Sequence, residues 1–226
     1  MKILDVGSGH RPLPQADILV DKYLDDNSHR GGNLIKDRPL INADVESLPF
    51  ENNTFDFVNA SQVIEHTKNP YKAVKELKRV SKSGHIDCPS YINENILFGQ
   101  KIHNYATIVV FNKIYFIRAK HPTNGHKFHK LYNENIIFKF SVDICDILFN
   151  THIVHYYWGN GKKIYKNFSK ENSKTRNKML AHKLNSSFGI IFQNIINIMM
   201  YKIKLNEIKK TKEILNIQKN EKYDGK

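Results

Sequence analysis

The first 90 residues consist of short apolar runs separated by turn signals, and this pattern restricts the fold. The runs are Met1–Val6, Ala16–Val20, Leu40–Ala43, Phe55–Ala60 and His85–Cys88. Before the last run, apolar residues recur at three- and four-residue spacing and predict an amphipathic helix from Pro70 to Val80. Strands joined by crossovers predict an α/β fold with a doubly wound, mostly parallel, Rossmann-like sheet. Such sheets bind their ligands at the carboxyl ends of the strands.

The pattern after residue 90 predicts further elements and two regions. Tyr105–Val110 and Ile114–Ile117 indicate a hairpin, Glu134–Phe149 a helix, Thr151–Trp158 a strand, and Phe188–Leu205 a helix on the domain or on a membrane surface. We therefore predict an α/β domain over residues 1–158, with a cofactor half (1–90) and an acceptor-side half (91–158). Residues 159–226 are expected to form a basic, mainly helical C-terminal extension. Polar composition after Lys209 favours disorder at its end.

Positive charge is concentrated in the second part of the chain. The formal net charge is +13, with −2 in residues 1–100 and +15 in residues 101–226. A basic surface can bind nucleic acid or a membrane, but this chain has 29 lysines and only 6 arginines. Arginine is the better residue for bidentate phosphate and base recognition, so nucleic acid is not the favoured partner. A bias from AT-rich codons explains the lysines equally well.

Cysteine content and the amino-terminal sequence bear on the cellular compartment. The two cysteines, Cys88 and Cys145, rule out a disulfide scaffold, and neither lies in a CxxC pattern. No apolar run with a cleavage site follows Met1, and no stretch of about 18 apolar residues is present. We therefore expect a reduced, cytoplasmic protein.

The carboxyl ends of the first three runs carry residues suited to a nucleoside ligand. Gly7 and Gly9 have no Cβ atom, so the backbone can turn sharply there and approach a ligand closely. Asp21 follows the second run, where an acid can accept hydrogen bonds from both ribose hydroxyls. Asp44 follows the third run. Glycines and acids placed in this way predict a nucleoside-containing cofactor at this edge of the sheet.

A family resemblance rests on six segments within residues 2–90. They are ILDVGSG at 3–9, Asp21, ADVESLPF at 43–50, FDFV at 55–58, VIEH at 63–66 and the stretch from Pro70 to Gly84. In order and spacing, these segments resemble class I S-adenosylmethionine-dependent methyltransferases of the small-molecule type. The resemblance implies S-adenosylmethionine as the cofactor and methyl transfer as the reaction.

The resemblance also implies which residues bind the cofactor. They are Asp5, Gly7, Ser8, Gly9, Asp21, Asp44, Val45, Ser61 and Gln62. The turn from Asp5 to Gly9 would lie along the methionine part, and Asp21 would bind the ribose. Asp44 and the backbone of Val45 would bind the adenine, and Ser61 with Gln62 would border the sulfur. For Asp5, a buried acid that stabilises the turn is an open alternative.

One departure from the family pattern affects the cofactor carboxylate. Only eleven residues separate Gly9 from Asp21, so the first helix must be reduced to a turn, and Pro12 and Pro14 agree with this. The carboxylate then loses the helix N-terminus that would face it. We expect Arg11 or His10 to replace that helix as its partner.

Catalysis of methyl transfer needs alignment of donor and acceptor, and a base only for some acceptors. His66 is the candidate base, because it follows the fourth strand, although a structural role for Glu65 and His66 remains open. His121, His126 and His129 lie near Pro122 and Gly125, which indicates an exposed loop. No metal site is predicted.

The acceptor is the least defined part of the predicted function. A small polar or lipid-linked molecule, such as a sugar, is favoured because no nucleic-acid module is recognisable. One alternative is methylation of RNA or protein, with the basic second half as the docking surface. Another is a cofactor-binding module without turnover that contacts a partner or the membrane surface.

Overall fold

The computed structural model describes residues 1–28, 30–97, 99–120, 125–149, 152–173 and 187–221. They form two compact units. The first contains residues 1–88 and 155–173, and the second contains the described parts of 89–154 and 187–221. The predicted C-terminal extension is thus divided between the two units.

The described residues contain eight strands and five α-helices. The strands are Ile3–Val6 (β1), Ile18–Asp21 (β2), Leu40–Asn42 (β3), Phe57–Ser61 (β4), Gly84–Pro89 (β5), Tyr105–Val110 (β6), Lys113–Arg118 (β7) and Ile153–Trp158 (β8). The helices are Pro70–Val80 (α1), Gly125–Glu134 (α2), Ile136–Phe149 (α3), Gly161–Ser173 (α4) and Ser187–Glu221 (α5). A 3₁₀ turn spans Ile64–His66, and a π-helical turn spans Asn93–Leu97.

The first unit is built on a sheet with the strand order β3-β2-β1-β4-β5-β8. Pairing is parallel from β3 through β5, which confirms the predicted mostly parallel sheet. All four residues of β1 and all six of β5 are buried, as expected for strands covered on both faces. Phe168 of α4 packs edge-on against Phe57 of β4 and covers one face. The carboxyl ends of β1, β2 and β4 lie side by side in this register.

Helix α1 has the predicted bounds, and its local chemistry explains both its start and its position. The Asn69 side chain accepts a hydrogen bond from the Lys72 N–H at 3.0 Å, and Pro70 occupies the first turn. The apolar positions Ala73 and Leu77 are fully buried. The amphipathic spacing read from the sequence therefore predicts which side of the helix is buried.

The connection from β1 to β2 is a turn, as the short spacing predicts. Residues 7–17 are all described and contain no helix. The Arg38 Nη1 donates to the carbonyl oxygens of Leu13, Pro14 and Ala16 at 3.0–3.2 Å. One guanidinium thus satisfies three backbone acceptors that a helix would have satisfied internally.

The second unit contains the β6–β7 hairpin and the helices α2, α3 and α5. The hairpin is antiparallel with Tyr105 opposite Arg118, which confirms the predicted pairing. Ile208 of α5 joins a buried cluster with Ala106, Ile108 and Ile117 of the hairpin. Within the described part of the chain, no helix is long and apolar enough to cross a membrane.

Two predictions for the second part of the chain differ from the structure. The loop expected around His126 and His129 is instead helix α2, in which Phe128, Leu131 and Tyr132 recur at helical spacing. His121 and Pro122 lie outside the described residues. Helix α5 continues to Glu221, past Lys209, so polar composition does not end the helix there.

Candidate functional site

The glycine-rich turn after β1 has the backbone geometry for which glycine is needed. Gly7 and Gly9 have φ values of +67° and +53°. The Gly7 and Ser8 N–H groups lie 2.7 and 3.2 Å from the Val20 carbonyl oxygen. A Cβ atom on Gly7 would stand 2.2 Å from a methyl carbon of Val63, so this position admits no larger residue without movement. The turn is consequently held close to the carboxyl ends of β2 and β4.

Asp21 lies at the carboxyl end of β2 with its carboxylate turned toward this turn. Its Oδ2 accepts from the Gly9 N–H at 3.1 Å. Its Oδ1 accepts from the Tyr23 N–H at 2.9 Å and from Arg30 Nη2 at 3.0 Å. The residue is 6% exposed. Because a carboxylate has about four acceptor positions, Oδ2 has capacity for a further donor.

Arg30 is a member of this site that sequence reasoning missed. Its side chain is 7% exposed and forms a buried ion pair with Asp21. Nη2 also donates to the Tyr23 carbonyl oxygen. The sequence gives one indication of its importance, since Arg30 is one of few arginines in a lysine-rich chain and directly precedes Gly31-Gly32. The sequence does not reveal which acid this arginine pairs with.

Two polar atoms around the turn are buried without a partner among the described residues. They are Ser8 Oγ and Arg30 Nη1. Buried polar groups in proteins are normally hydrogen-bonded, and an orphan of this kind fits a site that a polar ligand completes. Together with the glycine turn and the Asp21 carboxylate, these atoms fit the polar groups of a cofactor that contains a nucleoside and an amino acid.

The β2–β3 loop closes over the glycine turn. The Ile35 N–H donates to the Gly9 carbonyl oxygen at 3.0 Å. The His10 ring lies within 3.3 Å of where Cβ atoms on Gly31 and Gly32 would stand. Arg11, predicted to replace the lost helix N-terminus, is exposed, and its role stays a prediction.

Asp44 and Val45 follow β3, next to the Asp21 edge. The Asp44 carboxylate pairs with Lys22 at 2.9 Å and accepts from the Glu46 N–H at 2.9 Å. Partial burial works to raise its pKa, but these two donors hold the pKa of Asp44 below its ordinary value. Val45 is buried. An ionised Asp44 remains a suitable acceptor for an amino group.

Asp5 is bonded to protein groups on both oxygens, which favours the turn-stabilising alternative. Its Oδ2 accepts from the Leu13 N–H at 2.7 Å, and its Oδ1 accepts from Asn59 Nδ2 at 2.8 Å. Burial raises the pKa of Asp5 to about 6, against the lowering effect of these bonds. The carboxylate therefore connects the β1–β2 turn, through Leu13, to Asn59 of β4.

Ser61 and Gln62 lie at the carboxyl end of β4, where both are tied to Asp87. The Ser61 hydroxyl and the Gln62 amide donate to Asp87 Oδ1 at 2.9 and 2.8 Å. Gln62 has a φ of +55°, and its N–H also bonds the Asp87 carbonyl oxygen at 3.0 Å. Sequence reasoning did not single out Asp87, although it anchors both residues.

His66 ends the 3₁₀ turn that follows β4. Its backbone N–H donates to the Val63 carbonyl oxygen at 3.1 Å, and the residue is half-buried. Glu65 beside it is completely buried. Val63, at the start of this turn, is also the residue that faces Gly7, so the glycine turn and the His66 turn are positioned by a shared contact.

Part of this region matches a known family. Residues 21–86 match the family model described as a methyltransferase domain. An uncharacterized methyltransferase of Schizosaccharomyces pombe is 50% identical over 44 residues, which is 20% of this chain and 16% of the yeast protein. The chain thus spans less than a fifth of that relative's length.

Solved structures with partial similarity include two bacterial proteins. The YcgJ protein of Bacillus subtilis has 15% identity and a TM-score of 0.33 over 76% of this chain and 61% of its own. A SAM-dependent methyltransferase of Aquifex aeolicus has 21% identity and a TM-score of 0.30 over 40% of this chain and 57% of its own.

The matched segment begins at Asp21, runs through Asp44, Ser61 and His66, and ends within β5. It therefore contains the carboxyl-edge residues from β2 onward that the sequence pattern singled out. Residues 21–86 therefore resemble a methyltransferase domain, the class of domain whose methyl donor is S-adenosylmethionine.

Proposed function

We propose that the protein transfers a methyl group from S-adenosylmethionine to a small polar or lipid-linked acceptor, such as a sugar. The observation that carries the proposal is the buried Asp21 carboxylate beside the Gly7–Gly9 turn, within a segment that matches a methyltransferase domain. When bound, S-adenosylmethionine supplies an electrophilic methyl group on a sulfonium. The chain's own residues bind the cofactor, orient it and exclude water.

Cofactor binding is proposed to use the carboxyl edge of β1 to β4. Asp21 Oδ2 accepts from a ribose hydroxyl, and Asp44 accepts from the adenine amino group beside the Val45 backbone. Bonds to charged acceptors of this kind contribute about 1.5–3 kcal/mol each. Simultaneous binding of both ribose hydroxyls by Asp21 requires Arg30 to release Oδ1, since that oxygen already accepts two donors.

The methionine end of the cofactor is proposed to lie along the glycine turn. Gly9 leaves room for it, because the nearest atom to a Cβ there would be the Gly7 carbonyl oxygen at 3.8 Å, and the Ser8 hydroxyl supplies a buried group that needs a partner. Arg11 is exposed nearby and can reach outward to the cofactor carboxylate. Ser61 and Gln62 border the reactive sulfur at the end of β4.

His66 is proposed to accept the proton of a hydroxyl acceptor. A general base of this kind contributes about 10²–10⁴-fold in rate. His66→Gln should therefore lower kcat for a hydroxyl acceptor within that range without changing the affinity for S-adenosylhomocysteine. His152→Gln is the histidine control, because His152 belongs to the other unit. An equal loss of kcat in both variants would contradict the assignment.

The cofactor site is tested by calorimetric titration with S-adenosylhomocysteine. Asp21→Ala should weaken binding about tenfold or more, as expected for loss of a charged acceptor. Asp21→Asn keeps the shape and serves as a second variant, since alanine would leave Arg30 buried without its partner. Asp25→Ala, at an exposed acid of the same loop, should bind like the wild type.

The acceptor class is tested separately with radiolabelled S-adenosylmethionine. Sugars, lipid-linked sugars, RNA and protein substrates are compared in one panel, and transfer to a sugar-type acceptor supports the proposal. Preferential labelling of RNA or protein would favour docking through the basic residues instead. Binding of S-adenosylhomocysteine without transfer to any member would favour a cofactor-binding module without turnover.

A further inference from the structure

A second cluster of chemically active side chains lies in the first unit, on β5 and β8. His85 Nε2 lies 3.0 Å from His155 Nδ1 and 3.9 Å from Asp87 Oδ2. One potential ligand atom from each residue lies within 4.8 Å of the other two. His85 is completely buried and Asp87 is 6% exposed. The cluster joins strands that are 70 residues apart in the chain, and the proposed methyl transfer does not use either histidine.

The tautomer of His85 follows from its hydrogen-bond chain. Asn59 Nδ2 donates to Asp5 Oδ1 at 2.8 Å, so the other amide atom, Oδ1, faces His85 Nδ1 at 2.9 Å. A carbonyl oxygen only accepts, and Nδ1 must therefore carry the hydrogen. His85 Nε2 is left with a lone pair that points into the cluster. Burial lowers the pKa of His85, and it lowers the pKa of His155 against the raising effect of Asp87.

The two hydrogen bonds that link Asp5, Asn59 and His85 resemble those that orient a histidine ligand in a metal site. Metal-binding histidines usually donate their second N–H to a carbonyl or carboxylate, which fixes the ring and raises its basicity. The carboxylate of Asp87 is also oriented by hydrogen bonds. Ser61 and Gln62 hold its Oδ1, and this leaves Oδ2 directed to the histidines.

The distances can be compared with those around a transition ion. Two bonds of about 2.1 Å at 90–110° place their ligand atoms about 3.0–3.4 Å apart. The two imidazole nitrogens already meet this condition at 3.0 Å. Asp87 Oδ2, at 3.9 Å from His85 Nε2, needs to approach by about half an ångström, which is within the reach of a carboxylate rotation.

We propose that His85, Asp87 and His155 bind a divalent first-row transition ion, with Zn²⁺ as the reference case. Two imidazoles and one carboxylate suit such an ion, and soft thiolates are not required. In the bound form, His155 carries its hydrogen on Nε2 and offers Nδ1 to the ion. None of the three ligands is itself assigned to cofactor or acceptor, although Asp87 also holds Ser61 and Gln62 through its other oxygen.

A direct hydrogen bond from His155 to His85 accounts for the 3.0 Å contact without an ion, and Asp87 separates the two explanations. A hydrogen-bonded histidine pair has no need of a carboxylate oxygen 3.9 Å away, whereas an ion needs its charge. Replacing Asp87 by asparagine therefore weakens an ion site but leaves a histidine–histidine bond intact.

The test is a Co²⁺ titration of chelator-treated full-length protein, followed by visible absorption and competition with Zn²⁺. We expect ligand-field bands that saturate at one ion per chain and disappear when Zn²⁺ is added. His155→Gln and Asp87→Asn should each weaken Co²⁺ binding at least tenfold, and His152→Gln should bind as the wild type does. Each variant is first checked for native circular dichroism.

The wild-type titration decides the question even where a variant fails to fold. If no band develops at about 1 mM Co²⁺, where a site with a Kd of 1 mM is half occupied, the cluster is a hydrogen-bonded pair and the proposal is overturned. Stoichiometric binding that survives in both folded ligand variants overturns it as well, because the ion then lies elsewhere. Cofactor affinity and methyl transfer play no part in this readout.

Discussion

Replacement of Gly7 by alanine tests whether the glycine turn is fixed by sterics. Gly7 has a φ of +67°, and a Cβ atom there would lie 2.2 Å from Val63 Cγ2. The left-handed backbone costs an alanine about 1–2 kcal/mol. Forcing a methyl group into a packed contact adds about 1–3 kcal/mol. Gly7→Ala should therefore lower the free energy of unfolding by about 2–5 kcal/mol in total.

Gly9 provides the matched control. Its φ is +53°, but the nearest atom to a Cβ there is the Gly7 carbonyl oxygen at 3.8 Å, an ordinary contact distance. Gly9→Ala should therefore carry only the backbone cost of about 1–2 kcal/mol. The difference between the two variants isolates the contact with Val63.

A double-mutant cycle with Val63→Ala measures that contact directly. Val63→Ala removes both methyl carbons that crowd the new Cβ, so Gly7→Ala in this background should cost only about 1–2 kcal/mol. The assay is equilibrium urea unfolding without cofactor, with m-values compared to confirm a common two-state transition. Additivity of the two changes within about 0.5 kcal/mol, or equal costs at Gly7 and Gly9, would refute the steric argument.

Three further perturbations follow from single contacts, each measured by urea unfolding. Asp5→Asn removes a buried acid with a folded pKa of about 6, above its ordinary 3.8. The wild type loses stability as pH rises through that interval, so the variant should gain about 3 kcal/mol relative to it between pH 3.5 and 7.5; a constant difference contradicts this. Arg30→Gln leaves Asp21 buried without its partner and should cost about 3–5 kcal/mol; the loss should shrink in an Asp21→Asn background. Asn69→Ala removes the acceptor for the Lys72 N–H and should cost about 1 kcal/mol; an unchanged midpoint would contradict the cap.

The strands of the sheet were predictable because each one can be recognised from its own residues and from the turn that follows it. A parallel strand covered on both faces reads as an apolar run, and the turn residue after it marks its carboxyl end. β1 and β2 therefore appear at nearly the predicted residues, and Gly7 and Asp21 lie at their ends. The helix α1 was predictable for the same reason, since Asn69-Pro70 starts it and its apolar spacing continues to Val80.

The errors in the second part of the chain have a physical cause as well. Pro122 and Gly125 indicated a loop around His126 and His129, and polar composition favoured disorder after Lys209. The two histidines lie in a helix instead, and so do the residues from Lys209 to Glu221. Helices gain most of their stability from packing of one apolar stripe, which a polar average hides. Ile208 and Leu215 are buried at helical spacing on α5, so the informative residues were few and widely separated.

Pairings between distant residues account for what the sequence did not reveal in the site. Arg30 becomes part of the site only because the β2–β3 loop folds back onto Asp21, and His155 meets His85 only because β8 lies beside β5. In both cases the partner could be identified only once the strand order was known. Asp87 shows why this matters for function: it holds Ser61 and Gln62 with one oxygen and faces His85 with the other. A change at Asp87 is therefore expected to alter the end of β4 and the histidine cluster together, whereas a change at His155 should affect the cluster alone.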